Sequence, residues 1–484
     1  MASVKDDSFI IEFEKFYQGY SQMAAFNSLT EHGGGGQASV MTNMDVLAAD
    51  YMTQGPGLST LTNGDQDGAV DELINYILDK AVSDDKTYGI GPTKLFEISA
   101  ASVANAGDFP RTITGATDGS SVALLKGKLY YFFNKSSNAD IGQFDLSSTF
   151  DDNWGSTVPT GAAALQDAPH PVATKEDLMV FGNGRYVGTY TDATTTLAPS
   201  KLDFGNDAIV ADVAFQGNQW IIAVNSGVSG TNKNSSNIFL WGADATSSIL
   251  DDETGAGPQK IGFIYPIDGT IFVAYQDLTT TSGFKIGFVN GRKITALGYY
   301  AGALPTFAQK TMFRDTILFF AAGLTYSAGA MVESLPLQLS QIADGGYATG
   351  GAIAAPFGTP MVASTDGGSN HKLANFANYG VNCTWKSIVV PTLRGRERGY
   401  IDEIIVVTNA LGAGASCALT VEYNQGVSSS TNTMTIATTG KTRHKFTPGI
   451  GDVEDFRVAL DFSGGSTTNP VKIRKIIVLG NYRE

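Results

Sequence analysis

Cysteine is almost absent from this chain: two residues in 484, Cys383 and Cys417, both in the C-terminal third. That scarcity excludes a disulfide scaffold and any Cys-rich zinc site, and a buried free thiol at each position is favoured over a bridge. Histidine is nearly as rare. Of the four, His32, His170, His371 and His444, none stands in a nucleophile-elbow or Cys-His context, so nucleophilic catalysis lacks its base. Pro169 and Pro171 flank His170, which marks it as a structural turn residue. Charged residues make up 16% of the chain, and the net charge of −15 is scattered rather than run together. Such a surface repels phosphate backbones, so no sequence-specific nucleic-acid binding is expected. The first residues offer neither a basic start nor an apolar stretch of signal-peptide length, so export by that route is not expected. Long hydrophobic runs are missing too. The most apolar one, Thr316–Leu324, falls far short of the roughly 20 residues a membrane helix needs, and no membrane insertion is expected.

Glycine, by contrast, is abundant at 56 residues, with hydrophobic residues at 43% and aromatics at 10%. Glycine supplies the positive-φ turns that many short strands require, and the apolar content argues against a disordered chain. At this length the chain should hold two or three domains. Roughly every 45 residues a pair of apolar strands recurs, closed by a Gly, Asn or Asp turn, and repeats of that length read as β-propeller blades. The versions are Tyr88–Ser99, Lys128–Leu146, Asp177–Tyr190, Asn218–Trp241, Gly269–Ile294 and Asp315–Ser327. The Gly- and Ala-rich stretch from Ser340 to Asn382 has room for a last blade or closing strand.

Residues 1–87 do not read as a blade. Phe9, Ile10, Phe13, Phe16, Tyr17 and Tyr20 fall at helix-like spacing, followed by a glycine run at Gly33–Gly36. This reads as an amphipathic arm and hinge, packed on its own propeller or docked on a neighbouring subunit. Val70, Leu73, Ile74, Ile77, Leu78 and Ala81 line one helical face, with Asp67 and Gly68 placed to cap it, which predicts a helix over 70–81. From Thr384 the pattern becomes clean alternation, apolar at even positions in Phe456–Phe462 and at odd positions in Leu419–Tyr423. About seven such strands separated by Gly- and Ser-rich turns predict a β-sandwich. The expected fold is therefore all-β. A short, partly helical N-terminal arm occupies 1–87, a propeller of about six blades 88–382, and a C-terminal β-sandwich 383–484.

Motifs for chemistry fail on inspection. Ser364-Thr365-Asp366-Gly367-Gly368 matches half of an aspartate-box turn, and then Ser369-Asn370-His371 breaks it. Asn63–Gly68 opens like a calcium loop, but its twelfth position is Ile74, where a bidentate Glu belongs. No zinc spacing or phosphate-cradling loop appears. No catalytic, cofactor-binding or metal-ligating residue is assigned, no cofactor is implied, and the chain reads as not an enzyme. Basic residues concentrate at Arg394, Arg396 and Arg398 and again at Lys472, Arg474 and Lys475. On an acidic chain these suit either acidic patches of a second copy or a solvated loop with local ion pairs that contribute little individually.

Three segments resemble a known family. Met44–Gly64 is similar to the entry segments, and Tyr88–Ile98 to the opening hairpin, of propeller-bearing tail components of tailed bacteriophages. The course from Trp385 through Arg394–Glu403 and Leu419–Tyr423 to Lys472–Val478 resembles their closing sandwich. The resemblance implies a virion structural protein, a nozzle- or hub-like tail subunit. Its implied partners are further copies of itself in a six-fold ring and other tail proteins, with genomic DNA passing through the assembly. It implies location in the virion after assembly in the host cytoplasm. Phe9, Phe13, Phe16, Tyr20, Arg394, Arg396 and Arg398 are the expected intersubunit contacts. The competing expectation is a glycan-binding or glycan-cleaving propeller used in host receptor recognition, in which Tyr130, Tyr186, Trp220 or Trp241 would stack on sugars unless they serve the core. Replacing Arg394, Arg396 and Arg398 together by Ala should leave the monomer folded and weaken self-association. Unchanged mass by light scattering would discard that assignment.

Overall fold

The computed structural model of the chain describes residues 8–14 and 38–483, apart from short internal stretches, chief among them 46–51, 228–234, 244–258, 278–282, 330–337, 343–348, 393–397 and 465–469. Two compact units divide it. One comprises Thr60–Leu324 with Gly345–Asn375, the other Met1–Ser59 with Thr325–Asp344 and Phe376–Glu484. These limits differ from the boundaries read in the sequence at 87/88 and 382/383. The chain before Thr60 joins the C-terminal third, and residues 60–87 go into the propeller.

The first unit is a β-propeller. Blade 1 holds the strands Tyr76–Ile77, Thr87–Ile90, Lys94–Ile98 and Arg111–Thr112. Blade 2 holds Asp118–Leu125, Lys128–Asn134, Ala139–Phe144 and Phe150–Asp151, and blade 3 holds Val172–Lys175, Leu178–Asn183, Tyr186–Thr191 and Thr196–Asp203. Blade 4 has three strands, Ala208–Gln216, Gln219–Ser226 and Ser235–Trp241, and blade 5 has four, Gln259–Ile267, Thr270–Asp277, Phe284–Asn290 and Lys293–Tyr300. Thr349–Ala354, Met361–Thr365 and His371–Asn378 form the last blade. Six separate sheets result, and one more place in the ring brings the blades to seven where about six were expected. The hairpin Lys310–Phe313 and Thr316–Ala321 takes a further place between blade 5 and the last sheet, here blades 6 and 7. In every blade neighbouring strands run antiparallel, and, except between blades 5 and 6, the first strand packs beside the first strand of the next.

Apolar residues fill each gap between blades. Tyr130 and Phe132 of blade 2 share a cluster with Met179, Phe181 and Tyr190 of blade 3, and the rings of Phe132 and Phe181 lie 5.1 Å apart. Val70, Ile74, Ile77, Phe96 and Ile98 of the blade 1 side meet Ala352, Ala354, Met361, Ala363 and Leu373 of blade 7, which closes the circle. The helix expected over 70–81 is absent. That segment contains the strand Tyr76–Ile77 between turns, with Tyr76 opposite Ile90 and Ile77 opposite Gly89. Val70, Ile74 and Ile77 are indeed buried together, yet in a blade gap rather than on a helix face. A helix of about a dozen residues is marginal alone, and strand pairing with blade 1 outweighs its spacing.

Polar side chains then lace the inner strands. The Asn75 amide donates to Asp118 Oδ1 (2.8 Å) and to the Gly119 carbonyl (3.0 Å), joining blades 1 and 2. Ser120 Oγ accepts the His170 N–H (2.6 Å) and Ser121 Oγ donates to the His170 carbonyl (2.5 Å), joining blades 2 and 3. The Val210 N–H reaches the Gly184 carbonyl (2.8 Å) between blades 3 and 4. Between blades 4 and 5, Asn225 mimics a strand by bonding both the N–H and the carbonyl of Ile261 at 2.8 Å. Asp212 in blade 4 accepts the Ile264 N–H (2.8 Å) from blade 5 and the Lys310 ammonium from blade 6, while Lys310 also donates to the Ile264 carbonyl. Gln309 donates to the Gly350 carbonyl (2.7 Å) between blades 6 and 7, and Asp79 accepts the Ala355 N–H (2.6 Å) between blades 7 and 1. Chain ends of the ring are tied by Leu61 N–H to the Leu373 carbonyl (2.9 Å) and Leu373 N–H to the Gly64 carbonyl (2.7 Å).

In the second unit, the strands Met44–Asp45, Met52–Gln54, Lys472–Arg483, Arg398–Thr408 and Arg443–Phe446 lie side by side in one sheet. Ala38–Thr42, Cys383–Ser387, Asp455–Ser463, Ser416–Tyr423 and Ser428–Thr435 lie side by side in another. The predicted alternation holds: Phe456, Val458, Leu460 and Phe462 point inward, as do Leu419 and Val421, against Ile404, Val406, Ile473, Ile476 and Val478 of the facing sheet. The described part of the arm expected to be helical over Phe9–Tyr20 is instead a strand, Ser8–Phe13, antiparallel to the end of Lys472–Arg483. Phe9, Ile11 and Phe13 alternate as well as they repeat helically, and the sandwich offers them a sheet edge. Cys383 and Cys417 are buried free thiols on strands either side of Phe462, too far apart for a bridge.

Burial pushes the Asp212 carboxyl up, and the Lys310 charge is the main pull against it. Replacing Lys310 by Met should strand that carboxylate between three blades and cost about 3–5 kcal/mol of stability. Denaturant unfolding checks this, and a loss under 1 kcal/mol would mean the lacing is dispensable there.

Candidate functional site

Of the residues singled out as intersubunit contacts, the described ones, Phe9, Phe13 and Arg398, stand on strands of one sheet, Ser8–Phe13 and Arg398–Thr408, either side of Lys472–Arg483. Phe13 is fully buried and meets Trp385 edge-on at 5.6 Å, which takes it out of a neighbour's reach, and Phe9 packs on Tyr482 at 5.2 Å. Arg398 pairs with Glu454 at 2.9 Å on the same unit. Lys475 pairs with Glu12 at 2.6 Å and Glu14 at 3.5 Å. Phe16, Tyr20, Arg394 and Arg396 lie outside the described residues, as do Asp366–Ser369 of the half aspartate box and Gln66–Gly68 of the calcium-like loop. Tyr130, Trp220 and Trp241 are buried, as core residues should be, while Tyr186 is half-buried beneath the Arg185 guanidinium. His170 serves as a buried turn residue. Its Nδ1 donates to the Gly182 carbonyl (2.8 Å), and burial brings its pKa down to about 4, so the ring is neutral.

Groups capable of holding a ligand gather instead on the propeller axis, where the inner strands begin. A cavity of about 350 Å³ opens there, lined by polar Asn75, Asp118, Ser120, Asn134 and Thr306 and by apolar Leu73, Pro169 and Phe307. Gly119 and Gly351 belong to its wall because the strands approach too closely for a side chain. A Cβ on Gly119 would stand 2.1 Å from the Gly91 carbonyl oxygen, and one on Gly351 2.2 Å from that of Ile74. Both N–H groups of the Asn75 amide are spent on blade 2, which leaves its Oδ1 facing no donor among the described residues. Asp118 uses one carboxylate oxygen for Asn75, and Asn134, only 7% exposed, has an Oδ1 with no partner among the described residues. Partial burial and the nearby Asp167 push the Asp118 carboxyl up, against the pull of the Asn75 hydrogen bond.

Deeper along the axis stand Tyr76, Asp79, Tyr265, Lys310 and Thr311. Asp79 accepts from the Thr311 hydroxyl (2.7 Å) as well as from Ala355, yet burial still raises its pKa. Burial, and Asp79 close by, also raise the Tyr76 and Tyr265 phenols, so both stay neutral donors. The Lys310 ammonium sits over the Phe263 ring at 5.6 Å and the Tyr265 ring at 5.8 Å. Asp212 accepts three hydrogen bonds, from Val213, Ile264 and Lys310, so its lone pairs are committed to holding blades together. No group of three or more His, Cys, Asp or Glu side chains among the described residues is placed to hold a metal ion.

Sequence reasoning missed the mouth because its members come from positions 73–75, 118–120, 134, 169, 306–308 and 350–351. Most of them are the residues at or just before the first strand of a blade, and superposing the blade repeats would have put Asn75 and Asp118 in register.

No protein-family model matches the chain, and no curated protein sequence does. Among solved structures it is similar to the β-propeller domain of the trilobed protease from Pyrococcus furiosus, at 12% identity over 66% of this chain and 95% of that one, TM-score 0.37. It is also similar to the Trypanosoma rangeli sialidase, at 8% identity over 75% and 90%, TM-score 0.36. A third is an ancestral GH74 enzyme, at 11% identity over 70% of this chain and 50% of that one, TM-score 0.44. At such identities the likeness extends to the fold alone: the class that the described strands define is the β-propeller. One expectation is corrected by these findings. The sequence reads as not an enzyme because no catalytic, cofactor-binding or metal-ligating motif stands out in it. A sialidase and a GH74 enzyme are among the structures similar to the chain, and that expectation is withdrawn.

The Asp118 carboxyl should titrate above the ordinary aspartate value of about 3.9. Asn75→Ala should move it higher still, because the lost N–H stabilises the ionised form. Side-chain carbon chemical shifts followed against pH read both, and a titration at or below the ordinary value would discard this account of the mouth. Because ionising Asp118 costs the folded state, stability from its raised pKa is present at low pH and lost as pH rises through the folded value. Asp118→Asn should therefore not lower the melting temperature at pH 7.

Proposed function

We propose that this chain is a glycan-binding propeller whose ligand sits at the axial mouth, and that it serves host receptor recognition in a bacteriophage particle. One observation carries the binding part: a sugar-sized cavity lined by Asn134 and Thr306 in which Asp118 and Asn75 keep unspent hydrogen-bonding oxygens beside an aromatic face, Phe307. Polyhydroxylated ligands need that combination, since each hydroxyl seeks a partner while the ring's C–H face stacks on aromatic carbon. Phe307 is itself held by the Tyr76 ring at 5.9 Å, which orients it. The volume lies at the small end of ligand pockets, about right for one or two sugar rings.

The virion setting rests on the sequence resemblance of Met44–Gly64, Tyr88–Ile98 and the course from Trp385 to Val478. With it go the proposed homo-oligomer, contact with other tail proteins and location in the tail. Two carboxyl groups near one sugar are what glycoside cleavage requires, and Asp118 with Asp167 is the pair to examine at this mouth.

A glycan array with the wild-type chain should give a defined set of bound sugars. Asn134→Ala and Phe307→Ala should each weaken that binding about tenfold, from a lost hydrogen bond to ligand and a lost stacking face. A turnover assay on the bound glycans then tells whether cleavage follows. An array with no sugar bound above background, from protein with intact circular dichroism, would end the proposal.

A further inference from the structure

Lys310 and Asp212 differ from the propeller's other ion pairs in how little water reaches them. Their side chains are 14% and 3% exposed, lower at both ends than in any other Lys–carboxylate pair among the described residues, Lys135 with Asp140 included. Aromatic groups surround them. The Lys310 nitrogen lies over the Phe263 and Tyr265 rings, and the Tyr76 hydroxyl is near both Asp79 and Asp212. A second carboxyl completes the group: Asp79, bonded to the hydroxyl of Thr311, the residue after Lys310, is close enough to feel the Lys310 charge.

Burying an ion pair costs free energy that its mutual attraction recovers only in part, and a neutral amide in its place carries no such cost. Moving one proton from the Lys310 ammonium to the Asp212 carboxylate gives an amine beside a carboxylic acid, and burial pushes the Asp212 carboxyl toward that protonated form. The bonds these two side chains make fit the product of their union. The side-chain amide of Asn225 accepts the Ile261 N–H and donates to the Ile261 carbonyl. Three residues on, Asp212 accepts the Ile264 N–H and Lys310 donates to the Ile264 carbonyl. An amide joining Asp212 to Lys310 would keep both bonds, as the amide of Asn225 does on Ile261.

We infer that Lys310 and Asp212 condense into an isopeptide bond that links blade 4 to blade 6, with Asp79 as the proton carrier. The neutral Lys310 amine attacks Asp212 Cγ, and Asp79 takes the proton that the nitrogen sheds. Asp79 then gives that proton to the Asp212 hydroxyl, which leaves as water, while the oxygen on the Ile264 N–H closes as the amide carbonyl. One C–N bond forms, one C–O bond breaks, and no oxidant is needed. A carboxyl raised by burial, as Asp79 is, suits both halves of that transfer. The ion pair is the state before the bond forms. The bond would join positions 98 residues apart, so it would constrain the unfolded chain as a long-range cross-link does. It is independent of what the axial mouth binds.

The test is intact-mass spectrometry of the full wild-type chain, followed by peptide mapping. The chain should weigh one water less than its sequence, and proteolysis should release the segments around Asp212 and Lys310 as a single branched peptide. Lys310→Arg keeps the charge but cannot form this bond, and it should show the full sequence mass. Asp79→Asn should slow the condensation about a hundredfold, so that freshly purified protein carries mostly the unlinked mass. Wild-type protein of full sequence mass, shown folded by circular dichroism, overturns the inference. So does a missing water that maps to any other residues or that persists in Lys310→Arg. Condensation at the wild-type rate in Asp79→Asn overturns the role given to Asp79.

Discussion

Hydrogen bonds from side chains to the inner strands of neighbouring blades are the constraint on which the propeller depends. A sheet can satisfy its own backbone in a ladder, but nothing in that ladder says where the next sheet must stand. Apolar packing between blades is strong and non-directional, so it tolerates sliding. Asn225 closing both hydrogen bonds on Ile261, or Asp212 gathering Ile264 and Lys310, permits one offset only. With such a side-chain contact at every junction but that of blades 3 and 4, where the Val210 N–H meets the Gly184 carbonyl, and with Leu61 and Gly64 bonded to Leu373, the ring closes without any disulfide.

The same lacing shapes the chemistry of the axis. Donors are consumed in tying blade to blade, as Asn75 and Gln309 do, and acceptors are left over where the strands begin. Farther in, carboxyl groups are either saturated, like Asp212, or bonded across blades and pushed toward their protonated form, like Asp79. A structural network with spare polar groups at one end leaves the axial mouth polar, and the raised Asp118 carboxyl shows that this costs some stability when it ionises. The propeller fold itself leaves open whether such a surface binds or cleaves.

The repeat and the alternation were legible because they are properties of neighbouring residues. Strands such as Lys128–Asn134 and Leu178–Asn183 announce themselves by local content, and the inward positions of Phe456–Phe462 follow from a period of two. The two helical readings failed for one shared reason. Val70–Ala81 and Phe9–Tyr20 carry apolar residues at spacings that a helix and a strand with turns can both bury, and the choice fell to partners far away, blade 1 in one case and Lys472–Arg483 in the other. The axial mouth was invisible because no two of its key polar residues, Asn75, Asp118 and Asn134, are closer than 16 positions in the chain.

By itself, then, the sequence determined an all-β chain with a repeating unit, an alternating C-terminal region, free thiols and an acidic surface, because composition and short-range periodicity dictate these whatever the partners. Tertiary structure alone decided how blades register, which end of the chain joins which unit, and which polar atoms remain unspent. Those depend on which donor meets which acceptor across blades, and a hydrogen bond between Asn75 and Asp118 leaves no trace in the residues between them.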